Sequence, residues 1–99
     1  MPTQYPWKRD AFAGWTCEMP NNIALAASPR ERVRRGFKLT AAPNTEWSAQ
    51  CSVWDPVTRT MSRFGRDAWQ DRPKNAAGAK RLAEAIYEAA IARTVRNTN

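Results

Sequence analysis

The sequence predicts an α+β fold: an antiparallel β-sheet of three to five strands packed on one face by a long C-terminal α-helix. Three observations carry that expectation. From Trp47 to Trp54 the side chains alternate, with Trp47, Ala49, Cys51 and Val53 on one side and Ser48, Gln50, Ser52 and Trp54 on the other, which is the period of a half-buried strand. Asp55-Pro56-Val57-Thr58 follows. Pro56 presets φ for the second turn position and Asp55 bonds the backbone ahead of it, so the chain folds back into a second arm over Arg59 to Gly65. From Asn75 to Arg93, the residues Ala79, Leu82, Ala83, Ile86 and Ala90 recur at three-four spacing, the stripe of an amphipathic helix.

The elements follow in order within one domain of 99 residues, a length that allows one modest core. Residues 1–10 contain Pro2 and Pro6 and show no periodicity, so they form an extended arm, with Tyr5 and Trp7 turned back onto the body. Residues 11–66 hold the sheet. Phe12 to Met19 is a candidate strand, and Pro20-Asn21-Asn22 is a turn because Asn tolerates the left-handed region. Ile23 to Ala27 is a strand or the start of a helix, since so short an apolar run fits both. Ser28-Pro29-Arg30-Glu31 carries a capping box with proline at the first helical position. It predicts a short connector helix near 29–35, ended by Gly36. Phe37 to Ala41 is then a strand with Phe37, Leu39 and Ala41 turned to the core, and with Lys38 and Thr40 beside Gln50 and Ser52. The C-terminal helix fills 74–94.

Charge narrows the function. Sixteen Lys+Arg against nine Asp+Glu give +7 and a pI near 10.3, which favours nucleic acid or an acidic protein surface as partner. There is no histidine, which removes the commonest general base, the commonest zinc ligand and every Ser-His or Cys-His nucleophile. No phosphate-cradling glycine loop, paired-carboxylate motif or metal-ligand cluster is present, so neither an enzyme nor a metal or other cofactor is expected. Cys17 and Cys51 lie far apart without a CxxC motif, and Cys51 falls on the inward side of its strand, where a free thiol packs as a small hydrophobe. Two reduced cysteines, no apolar segment of a secretory signal and no run long enough to cross a bilayer point to the cytoplasm and away from membranes.

The candidate site is basic and aromatic. With Trp54 paired to Arg59, Gln50, Ser52 and Trp54 share a face with Arg59, Met61 and Arg63, and Lys38 joins from the next strand. Two guanidiniums do not belong in a core, so this face is either solvated or a binding face. Arg30, Arg32, Arg34 and Arg35 sit on the connector, which is either an exposed link or a phosphate-contacting turn. Arg66 and Lys74 flank the start of the helix. Arg and Lys neutralise phosphates, Gln50 has the donor-acceptor pair that reads adenine edges, Arg59 and Arg63 suit guanine, and Trp54 offers a stacking surface.

The order FKLT, WSAQCSVWD, RTMSRFG and an alanine-rich helix, over about Arg35 to Ala92, resembles the amino-terminal arm-binding domain of phage tyrosine integrases. It is also similar to the second half of a double-stranded RNA-binding domain. The integrase resemblance implies that Lys38, Gln50, Ser52, Arg59 and Arg63 enter a major groove. Neither resemblance accounts for the first third of the chain. Five tryptophans with surplus arginine also look like the small proteins that phages encode against host machinery, anti-CRISPR proteins among them, because Trp and Arg dominate interface hot spots. Two functions are therefore expected to compete: a nucleic-acid-binding accessory or regulatory protein of bacterial or phage origin, and a phage-encoded inhibitor that binds a host protein through the same residues.

Overall fold

A computed structural model of the chain describes residues 5–64 and 72–97, with the backbone alone for Phe64 and 92–97. Its strands are β1 (Lys8–Arg9), β2 (Trp15–Met19), β3 (Ile23–Pro29), β4 (Arg32–Arg35), β5 (Lys38–Ala41), β6 (Trp47–Asp55) and β7 (Thr60–Phe64), followed by helix α1 (Ala76–Asn97). Five strands form an antiparallel sheet in the order β1-β2-β3-β6-β7, and β4 pairs with β5 in a separate two-stranded sheet. The helix packs on the five-stranded sheet, so the fold is α+β.

Alternation decides which side the helix covers. In register, Cys17, Leu25 and Cys51 lie across β2, β3 and β6, flanked by the row Trp15, Ala27 and Ala49. Except for Trp15, which is partly buried at its edge, these residues meet Ala79, Ala83, Ile86 and Tyr87 of α1 in the buried core, with Trp47 closing one end. Small side chains on both surfaces let the helix axis lie close to the sheet. Asn75 starts the helix, its side-chain oxygen accepting the Gly78 N–H at 2.7 Å, and so satisfies one of the unpaired donors of the first turn. The N-terminal segment folds back as expected: Tyr5 and Trp7 pack against the core, and their polar tips donate to Glu88 (2.7 Å) and Glu84 (2.8 Å) on the helix.

Ile23 to Pro29 is a strand. It supplies seven register pairs to β6, from Ile23–Val53 to Pro29–Trp47. That pairing overturns the connector helix expected near 29–35. The Arg30 N–H donates to the Glu46 carbonyl (2.8 Å), while the Trp47 N–H turns away to Pro73 O (2.7 Å). Pro29 and Trp47 are therefore a non-hydrogen-bonded pair, where the missing proline N–H costs nothing. The local capping signal loses to a ladder that uses the same backbone groups.

The strand expected at Phe37 to Ala41 forms, but it does not join the main sheet. β6 already has β3 on one side and β7 on the other, and β3 matches it over far more length than the four residues of β5. Lys38 and Thr40 consequently do not lie beside Gln50 and Ser52, and the contiguous three-stranded arrangement that the integrase resemblance implies is absent. Phe37, expected in the core, is fully exposed at 109%.

Candidate functional site

The strands β4 and β5 form a short ribbon joined by Gly36-Phe37, with Arg35 paired to Lys38 across the turn. Gly36 adopts φ +65 and Phe37 does not, the pattern of a two-residue hairpin turn with glycine first, whose twist matches its strands. The ribbon projects from the sheet end where β3 stops and β6 begins. Its base is tied down: Ala42 N–H donates to Glu31 O (2.9 Å), Glu31 N–H to the Thr45 hydroxyl (2.9 Å), and the Arg32 Nε–H to the Phe12 carbonyl. Beside that base lies a cleft of about 360 Å³ lined by Arg30, Glu31, Asn44, Thr45 and Glu46.

The charge of the predicted site gathers on this ribbon. From 30 to 41 the chain carries Arg30, Arg32, Arg34, Arg35 and Lys38 against the single carboxylate Glu31. Register places Arg32 and Arg34 with Leu39 and Ala41 on one face, and Arg35 and Lys38 with Val33 and Thr40 on the other. Arg30 sits 3.8 Å from Glu46, which also meets Arg72 at 3.5 Å. Both pairs are exposed and contribute little to stability. Among the described residues no carboxylate lies within ion-pair distance of Arg34, Arg35 or Lys38.

The rest of the predicted site lies elsewhere. The β6–β7 register is Trp54–Met61 and Ser52–Arg63, two positions away from the expected Trp54–Arg59 pairing. A two-position shift keeps every residue on its side, so Gln50, Ser52, Trp54, Met61 and Arg63 do share the open face. Arg59 leaves the ladder. It takes φ +57 in the turn, and its N–H donates to Asp55 O (2.8 Å). Asp55 organises that turn, its carboxylate accepting from Val57 N–H (2.9 Å) and Thr58 N–H (3.4 Å). Those bonds hold its carboxyl below the ordinary range.

The open face itself is small and mixed. Thr16, Ala24, Ala26, Ser28, Ser48 and Ser52 occupy most of it, with Lys8, Glu18 and Arg63 as its charges. Ser48 and Ser52 hydroxyls donate across strands to the Ser28 and Ala24 carbonyls (3.4 and 3.5 Å). A continuous surface of Lys38, Arg59, Arg63 and Trp54 therefore does not exist. The ribbon and the β6–β7 turn stand at opposite ends of β6, about 30 Å apart for nine extended residues.

Lys74 is exposed just before the helix, at the ribbon end of the sheet, since its neighbour Pro73 bonds Trp47. Arg66, like Gly65, lies outside the described residues. Phe37, like Lys38 and Arg59, lies where sequence reading did not place it. For Phe37 the signal was present in Arg35-Gly36-Phe37-Lys38, a glycine-first pair between polar arms that reads as a hairpin turn.

One further cluster is structural. Lys80 sits 3.4 Å from the Trp15 ring centroid and 5.9 Å from that of Trp7, and Arg9 stacks on Trp15 at 5.6 Å, so the cations hold the N-terminal segment to the helix. Cys17 and Cys51 are free and buried. Among the described residues there is no group of three or more potential metal ligands, and no helix long and apolar enough to cross a membrane. No family model, no curated protein and no solved structure matches the chain.

Proposed function

We propose that this protein is a small nucleic-acid-binding accessory or regulatory protein, and that the β4–β5 ribbon is its reader. The observation that supports the reading is the crowding of Arg34, Arg35 and Lys38 on a projecting two-stranded hairpin with no carboxylate partner among the described residues. Folding gains nothing from so much like charge in one place, whereas a polyanion gains from it through counterion release. The test is binding of labelled DNA and RNA oligonucleotides over a range of salt. In the R34A/R35A variant the slope of log affinity against log salt shrinks by roughly 1.5 to 2 units, the loss of two phosphate contacts. The R59A/R63A variant keeps the wild-type slope. Wild-type protein that binds no oligonucleotide at any salt overturns the reading.

A second reading, a protein-binding inhibitor of host machinery, draws on a different observation. Trp54 (42% exposed) and Met61 (60% exposed) lie side by side on the open face next to Arg63, and a bare indole is the residue type on which interfaces concentrate their energy. On that reading W54A/M61A abolishes partner capture from nuclease-treated lysate, and R34A/R35A leaves capture intact.

A further inference from the structure

We infer that the nucleic acid is B-form duplex DNA, entered tip-first through its major groove, with Phe37 bearing on the base stack. This rests on the ribbon reading above and adds the class of ligand and the role of the tip. Size argues first. Two paired strands stand about 4.8 Å apart and with side chains span roughly 10 Å, which fits the ~12 Å major groove and exceeds the ~6 Å minor groove. The major groove of A-form RNA is too narrow and deep to admit it. Reach argues next. Four residues per strand extend about 13 Å, more than the ~8.5 Å depth of the groove, so a ribbon anchored at Glu31 and Ala42 brings its tip to the base edges.

Charge placement argues against the ribbon lying flat on a phosphate surface, which would call for one basic face. Here Arg34 stands on one face and Arg35 with Lys38 on the other, which matches phosphates on both walls of a groove. The tip is the last element. Phe37 has no core contact and its whole surface faces water, held there by the turn that Gly36 makes at φ +65. An apolar ring at the point of a basic ribbon is placed to meet thymine methyls on the groove floor or to wedge into a base step.

The experiment compares three probes with the full chain: a 20-base-pair DNA duplex, an RNA duplex of the same sequence, and one DNA strand alone. A 2-aminopurine in the duplex reports unstacking. The expected result is binding to the DNA duplex at least about tenfold tighter than to either other probe. F37A loses about tenfold or more on the DNA duplex, the scale of one buried ring, with its salt slope unchanged; F37W retains affinity. If 2-aminopurine fluorescence rises with wild type and not with F37A, Phe37 wedges into a step. If it rises with neither while F37A still loses affinity, the ring rests on the floor. Equal or better binding to the RNA duplex or the single strand, or unchanged affinity of F37A, overturns the groove inference. In that outcome the R34A/R35A slope change still upholds the ribbon reading. Absence of salt-dependent binding to all three probes overturns both.

Discussion

Cys51 lies between Leu25 and the β7 strand with no exposed surface, and burial pushes its thiol from the ordinary 9.0 up to about 11. Burial also raises Cys17, with a smaller push from the Glu84 carboxylate. A folded value above the unfolded one means a contribution that is full below pH 9 and is lost as pH rises through about 11. Thermal stability is therefore expected to fall between those pH values, and Cys51→Ala is expected to flatten the fall. Folded protein should take up no iodoacetamide at pH 8, and denatured protein two labels; mass spectrometry reads both. Tyr5 titrates in the same direction, raised by burial and then by its hydrogen bond to Glu88, so Tyr5→Phe separates its share. Gly14 makes a sharper prediction. A Cβ there would stand 2.9 Å from the Ala27 carbonyl oxygen and from an Asp10 carboxylate oxygen. The first neighbour belongs to the β3 backbone, so Gly14→Ala is expected to cost about 1–3 kcal/mol as an overpacked site, measured by denaturant unfolding.

At the scale of elements, the helix is attached through a narrow alanine-rich stripe. Ala79 and Ala83 are completely covered and Ile86 and Tyr87 nearly so, whereas Leu82 is only half-buried. Ile86→Ala is accordingly expected to cost about 2–5 kcal/mol, and Leu82→Ala to fall at or below the low end of that range. Losses under half a kcal/mol at both sites would show that the helix does not pack there. Asn75→Ala removes the cap and should cost about 1 kcal/mol, without changing the oligonucleotide salt slope, because the amide carries no charge and neutralises no phosphate. The ribbon behaves oppositely. Its tip charges contribute to no core contact, so R34A/R35A should leave unfolding within about half a kcal/mol of wild type while changing binding.

Across the whole molecule the dimensions are 52 × 28 × 28 Å, and the two candidate surfaces lie at opposite ends of β6. Cations concentrate at the ribbon end, where Arg34, Arg35 and Lys38 are exposed and Arg72 and Lys74 flank the base. The exposed apolar pair Trp54 and Met61 stands toward the other end of β6. Substitutions at the two ends are far enough apart to act independently. The quadruple variant R34A/R35A/W54A/M61A should therefore show the sum of the two pairs in stability, within about half a kcal/mol. Its nucleic-acid affinity should match that of R34A/R35A alone, and titration at two salt concentrations checks this.

The α+β class, the strand from Trp47 to Trp54, the Asp55 turn, the Asn21-Asn22 turn and the long helix were legible in the sequence because each is written by local rules. A period of two, an Asx side chain ahead of a proline, two asparagines that adopt φ of 66 and 61, and a three-four stripe need no knowledge of distant residues. The inward set Ala49, Cys51, Ala79, Ala83 and Ile86 followed from the same periods. The tertiary structure alone decided which strand lies beside β6. Ser28-Pro29-Arg30-Glu31 satisfies the rules for starting a helix, and a seven-position ladder to β6 outweighs them, because each paired residue adds a hydrogen bond or a packed neighbour that a single helical turn cannot match. Once β3 holds that place, β5 has only β4 to pair with, and the run of arginines becomes one arm of a projecting ribbon. Composition alone determined that the chain is basic; the competition between strands for one partner determined where that charge is presented.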